Sequence, residues 1–150
     1  MNLYPIQKNK YSAIFFQSLA VKAIFVLASY LLLNNGLVFI NTVPVSRFTL
    51  HILIGMVALA WIHTGYQKKQ LSKIKSIEDF DVRINEYEKF YKFRLIWFLF
   101  SCFISCSIAL FTARHLFIGY AIVDILISLP FYPNLPLFKR ELNNSEILLC

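Results

Sequence analysis

Charge is what this chain has least of. Asp, Glu, Lys and Arg make up 15% of its 150 residues, against roughly 25% in a soluble domain. Its eight acids and three histidines are scattered. No H-E-x-x-H, G-x-S-x-G or paired acidic motif for metal-bound pyrophosphate forms among them. Glycine occurs four times, never in a phosphate-cradling loop, and none of the three cysteines falls in a C-x-x-C. Reactions inside a membrane need a clustered polar site. None can be assembled from these residues, so the expectation is a non-enzymatic protein without cofactor or metal.

Apolar residues fill that place: 58% of the chain, with 17% aromatic and a mean hydropathy of +0.60. A domain of 17.5 kDa has too little interior to hide so much apolar surface. Composition therefore excludes a disordered chain, a coiled coil and an ordinary soluble enzyme. It points to one domain whose solvent is lipid.

A helical span needs about 20 mostly apolar residues. Four stretches qualify, at about 13–33, 46–65, 95–112 and 116–131. Their apolar runs are continuous, unlike the alternating segments of a membrane barrel. The basic residues orient them. Twelve lie before span one, between spans two and three, and after span four, whereas Arg47 and Arg114 alone occupy the other two connections. The bias toward positive cytoplasmic loops puts both termini and the central segment inside. The expected fold is an all-α four-helix bundle, N-in and C-in, in a bacterial inner membrane. The +7 charge is then a topology signal and favours anionic headgroups. It does not mark nucleic-acid binding, because no basic-aromatic groove pattern accompanies it. Span one has too long an apolar run for a cleaved signal peptide.

Turn and cap signals organise the connections. Asn34-Asn35-Gly36 closes span one. Ser76, with Asp79 three residues on, reads as a helix start. From there Ile77, Phe80, Ile84, Tyr87 and Tyr91 recur at alternating spacings of three and four, one apolar face of a helix. Residues 77–94 are thus expected to form an amphipathic cytoplasmic segment continuous with span three. Its stripe packs on the chain's own second span, lies against the headgroups, or serves as a docking ridge for a partner. Pro130, Pro133 and Pro136, three apart, favour an extended polyproline strap after span four, and the tail beyond Lys139 can end in a short helix. Trp61, Tyr66, Tyr91 and Trp97 are expected to ring the inner interface. Tyr11–Phe16 faintly echoes Phe93–Phe98, which suggests duplicated two-helix hairpins.

Ionisable residues inside spans are functional candidates by default. At about 1.5 Å per residue, Lys22 lies roughly 13 Å and Asp124 roughly 10 Å into the hydrocarbon from the same side. Each alone costs about 2.5–3.5 kcal/mol on insertion scales, so the two are candidates to pair. Alternatively, Lys22 sits at the span's edge and snorkels to water. His51 and His63 lie about 120° apart around one helix and cannot share a metal. His115, with Arg114 and Arg47, can approach His51 at the outer face. Cys102 and Cys106 share a face of span three, where cysteine behaves as a small apolar residue. Two functions follow. The first is a non-enzymatic subunit or scaffold of a membrane complex, docked through Ile77, Phe80, Ile84, Tyr87 and Tyr91 to a membrane-protein partner or a second copy. The alternative is a homo-oligomeric transporter or channel using Lys22 and Asp124.

Overall fold

The computed structural model describes residues 4–37, 45–144 and 147–149. Helix α1 spans Lys8–Asn34. It is apolar on all sides, as a helix surrounded by lipid and protein must be. It ends at the Asn-Asn-Gly signal: Gly36 takes φ +70°, a conformation only glycine adopts without strain, and Leu37 N–H reaches back to Leu32 O at 3.0 Å.

Helix α2 (Val45–Lys75, 31 residues) and helix α3 (Phe80–Thr112, 33 residues) are about 46 and 50 Å long. Both outrun a hydrocarbon core of about 30 Å. The polar central segment is therefore the projecting ends of two helices joined through residues 76–79. This corrects the expected helix start. Asp79 is the N-cap, accepting from Asp81 N at 2.9 Å and Val82 N at 3.4 Å, whereas Ser76 Oγ donates back to Lys73 O at the end of α2. A carboxylate is the stronger acceptor for orphan N–H groups, and it complements the helix dipole.

After a turn at Ala113 and Arg114, helix α4 runs His115–Ser128. A 3-10 turn follows at Leu129–Phe131, and then helix α5, Leu135–Leu142, bent from it by 81°. The expected polyproline strap is thus a turn and a helix start. Pro130 and Pro136 occupy first-turn positions, where a missing N–H is no loss, and Asn134 caps α5 by accepting from Leu137 N at 2.8 Å. Beyond α5 the tail forms a strand instead of ending in a helix. Strand β1 (Tyr4–Ile6) pairs in parallel with β2 (Ile147–Leu149), which ties the two ends of the described chain together. Cys150 and the Arg47 side chain lie outside the described residues.

Among the described residues, three helices are long and apolar enough to cross a membrane, or four if the bent pair around Leu129–Phe131 counts as one span. Helices α1, α3 and α4 pack closely on one another. Helix α2 leans mainly on α3 and touches α5 at the end that carries the strands, here termed the base. Midway, Cys102, Cys106 and Ala121 pack together against Phe25 and Val26, so small side chains bring the backbones close. The largest core lies at the base. There Tyr11 and Phe15 of α1, Tyr87, Phe90 and Tyr91 of α3, and Leu137, Phe138 and Leu142 of α5 are buried together with Ile6 and Ile147 of the strands.

Candidate functional site: a cavity between the helices

The projecting half of α3 is spent on the base. Tyr87 and Tyr91 are fully buried and Phe80 nearly so, while Ile77 and Ile84 are half-buried. The Tyr11 ring stands edge-on to Tyr91 at 5.3 Å and to Phe138 at 5.1 Å. The apolar stripe thus meets α1 and α5 of its own chain. Of the expected interface ring, Trp61 and Tyr66 are exposed, but Tyr91 is in the base core and Trp97 turns inward. Their spacing on a helix says nothing of which neighbour claims a given face.

A buried ion pair, unanticipated from the sequence, anchors this region. Arg94 and Glu141 are 2% and 3% exposed. Arg94 Nη1 donates to Glu141 Oε2 at 3.1 Å, and Tyr87 Oη donates to the same oxygen at 2.6 Å. The guanidinium lies 4.5 Å from the Phe90 ring and 4.4 Å from the Phe131 ring. Burial, followed by the neighbouring Glu141 carboxylate, holds the Tyr87 hydroxyl well above its ordinary range. Tyr87 is therefore a donor throughout the accessible pH range. Among twelve basic residues at one side, Arg94 reads in sequence as one more surface charge. Its proximity to Glu141, 47 residues away, has no local signal.

Deeper along the helices the polar groups sort into two sets. Lys22 is 1% exposed, and its Nζ donates to Ser128 Oγ at 2.7 Å with the Phe98 ring centre 5.7 Å away. Ser128 donates in turn to Ile125 O. Asp124 Oδ2 accepts from Ser101 Oγ at 2.6 Å. Lys22 and Asp124 share a layer without a direct ion pair, because the ammonium meets Ser128, one helical turn beyond Asp124 on α4. Matching depth placed them near one another, but a 3.6-residue period turns the nearer partner into a serine.

Asp124 instead faces a cavity of about 440 Å³ between α2, α3 and α4. Most of its wall is apolar: Met56, Leu59 and Ala60 from α2, Phe98, Phe100 and Ile104 from α3, Ile127 from α4, and Phe131 beyond it. The polar groups in the wall are Asp124, Ser101, His63, Thr64, Gln67, Tyr120 and the Trp97 indole. Thr64 closes its hydroxyl on Ala60 O, as helical threonines do in an apolar medium. His63, 7% exposed, stacks on Trp97 with centroids 4.3 Å apart and planes 8° from parallel, and its Nε2 is hydrogen-bonded to Gln67 Nε2.

The arrangement can hold a small apolar molecule and offer it one carboxylate. No group of three or more His, Cys, Asp or Glu comes together among the described residues. At the far end His115 meets Tyr30 edge-on at 6.0 Å. Cys102 and Cys106 are free and buried. Asp124 and Lys22 were legible as intramembrane charges, and His63 as a polar residue of span two. Ser101 reads only as a small contact residue, and nothing local shows that it bonds Asp124 or that His63 shares its cavity. No family model, curated protein or solved structure matches the chain.

Proposed function

We propose that the chain is a small multi-pass transporter that crosses the membrane four times, with its base in the cytoplasm and Asp124 as the group its substrate meets. One observation carries this reading: Asp124 lines a substrate-sized cavity and bonds only Ser101, while Lys22 is engaged by Ser128. Polar groups at this depth are costly and default to pathways and relays. The orientation draws support from the twelve basic residues gathered toward the base and from the pairing of the two chain ends there. That basic rim suits anionic headgroups, and the short outer connections suit a bacterial inner membrane. Four spans enclose little room, so a complete pathway calls for two copies. No bond-making step is needed.

The test is flux. The purified chain in liposomes should carry substrate down an ion gradient, and Asp124→Asn should abolish that flux without loss of protein. Wild-type flux in the variant would sink the reading.

A second reading, a non-enzymatic subunit of a larger complex, draws on the outer face of α2, where Trp61 is 82% and Ile62 66% exposed. A foreign protein at fixed stoichiometry after gentle extraction would favour it. Docking through Ile84 and Tyr87 would first have to displace α5.

A further inference from the structure

Resting on the cavity as the substrate site, we infer that its ligand is a bulky organic cation, an onium or amine whose charge is carried on an apolar body. A volume of about 440 Å³ falls within the range of small-molecule pockets, roughly 300–1,000 Å³. Its lining holds one acid, Asp124, and no Lys or Arg. Lys22, the nearest base in this layer, is not part of the wall and spends its ammonium on Ser128. Asp124 Oδ2 is occupied by Ser101, while Oδ1 has no hydrogen-bond partner among the described residues. That leaves one oxygen of a cavity-lining carboxyl without a protein partner, in a low-dielectric wall where attraction for a cation is strongest.

The rest of the wall decides what kind of cation. An inorganic ion would need several oxygen ligands to replace its water, whereas the wall is mostly aliphatic and aromatic and Asp124 is its one carboxyl. A delocalised or alkylated cation sheds little hydration and covers those side chains. The Trp97 and Tyr120 rings also line the space and add π surface that favours a cation. An anion would meet the Asp124 carboxyl with no Lys or Arg in the wall to compensate it. A neutral molecule of the same shape would leave that carboxylate unpaired.

Tetraphenylphosphonium and tetraphenylborate share a size and shape but carry opposite charge. Trp97 lies in the cavity wall and the only other tryptophan, Trp61, is exposed to the surroundings. Trp61→Phe therefore leaves one fluorescent reporter at the site. In the full chain purified in mild detergent, tetraphenylphosphonium should quench Trp97 saturably, and tetraphenylborate should bind at least about tenfold more weakly. Asp124→Asn should lower phosphonium affinity at least about tenfold, while Asp124→Glu should keep most of it. Equal affinity for the two ions overturns the inference. So does binding of neither, or unchanged phosphonium affinity in a folded Asp124→Asn chain. The ratio between the two ions needs no change at Asp124, so it decides even if that variant fails to fold. Liposome flux separates the two proposals. Phosphonium binding without flux keeps the ligand class and removes the transporter reading. Asp124-dependent ion flux without phosphonium binding does the reverse.

Discussion

The base and the spanning helices are built from the same kinds of residue but treat them in opposite ways. At the base, Tyr11, Tyr87, Tyr91 and Phe138 are 3% exposed or less, and charge is neutralised across elements by Arg94 and Glu141. Along the spans, Ile24, Ile54, Ile62 and Ile96 face outward at 59–66% exposure. Hydroxyls there turn back on their own helix, as Ser105 does on Ser101 O, Ser107 on Phe103 O and Thr112 on Ile108 O. The difference is what the proposed placement, spans in lipid and base in water, would produce. Water would drive the base to bury its aromatics as in a soluble core. Lipid would give no such drive between helices, so the spans meet through small side chains and turn most of their hydroxyls back on the helix. The cavity around Asp124 stands out against that background because one oxygen of its carboxyl has no hydrogen-bond partner among the described residues.

The contrast can be broken most severely at the buried pair. Glu141→Gln strands the Arg94 guanidinium in the base core and should cost about 3–5 kcal/mol, read as a fall in unfolding midpoint in detergent. Replacing both residues with apolar ones, Arg94→Met with Glu141→Leu, should recover most of that loss. A Glu141→Gln chain that melts like the parent would show that the base is held by packing alone. Tyr87→Asp would set a second carboxylate against Glu141 and should damage the base as badly, so loss of a partner in that variant would not identify a docking ridge.

Paired truncations sharpen the comparison. Tyr91→Ala removes a fully buried ring and should cost about 3 kcal/mol or more. Trp61→Ala removes a larger ring from a site 82% exposed and should change stability by less than about 0.5 kcal/mol. Comparable losses at the two positions would mean that the outer face of α2 is covered by protein and not by lipid or detergent.

The smallest effect is electrostatic and lies at the rim of the base. Lys10 and Lys92 both reach the Glu88 carboxylate, at 2.8 and 2.7 Å, and their hydrogen bonds hold its pKa below the ordinary 4.5. A carboxylate with a depressed folded pKa contributes stability that is present above pH 4.5 and is lost as pH falls through its folded value. These side chains are partly exposed, so the contribution should be under about 1 kcal/mol and weaken with salt. Melts of the parent and Glu88→Gln should therefore differ slightly near neutral pH and converge in acid. A difference that persists in acid would assign the effect to packing.

Some of the architecture was legible because it depends on neighbours in sequence. The end of α1 follows from Asn34-Asn35-Gly36, and the helical run from residue 80 into span three from its spacing and lack of Pro or Gly. The cap was misplaced by three residues because Ser76 and Asp79 are both good capping residues, and which one is used depends on how far α2 continues. The three prolines fit a polyproline strap equally well until α5 packs on α3. Asp124 was legible because a carboxylate inside a span is rare. Its partner Ser101 was not, since a serine in a span is ordinary.

The amino-acid sequence by itself determined that the chain is helical and apolar enough for lipid, with its positive charge gathered toward one end. Those properties are sums and periodicities that need no knowledge of what packs where. Only the tertiary structure decided that the amphipathic stripe is covered by α1 and α5, that Arg94 belongs to Glu141 and Lys22 to Ser128, and that Asp124 is left facing a cavity. Each is a contact between residues 47 to 106 positions apart or a choice between helix faces. Such choices turn on crossing geometry, where one residue's shift rotates a side chain by about 100°.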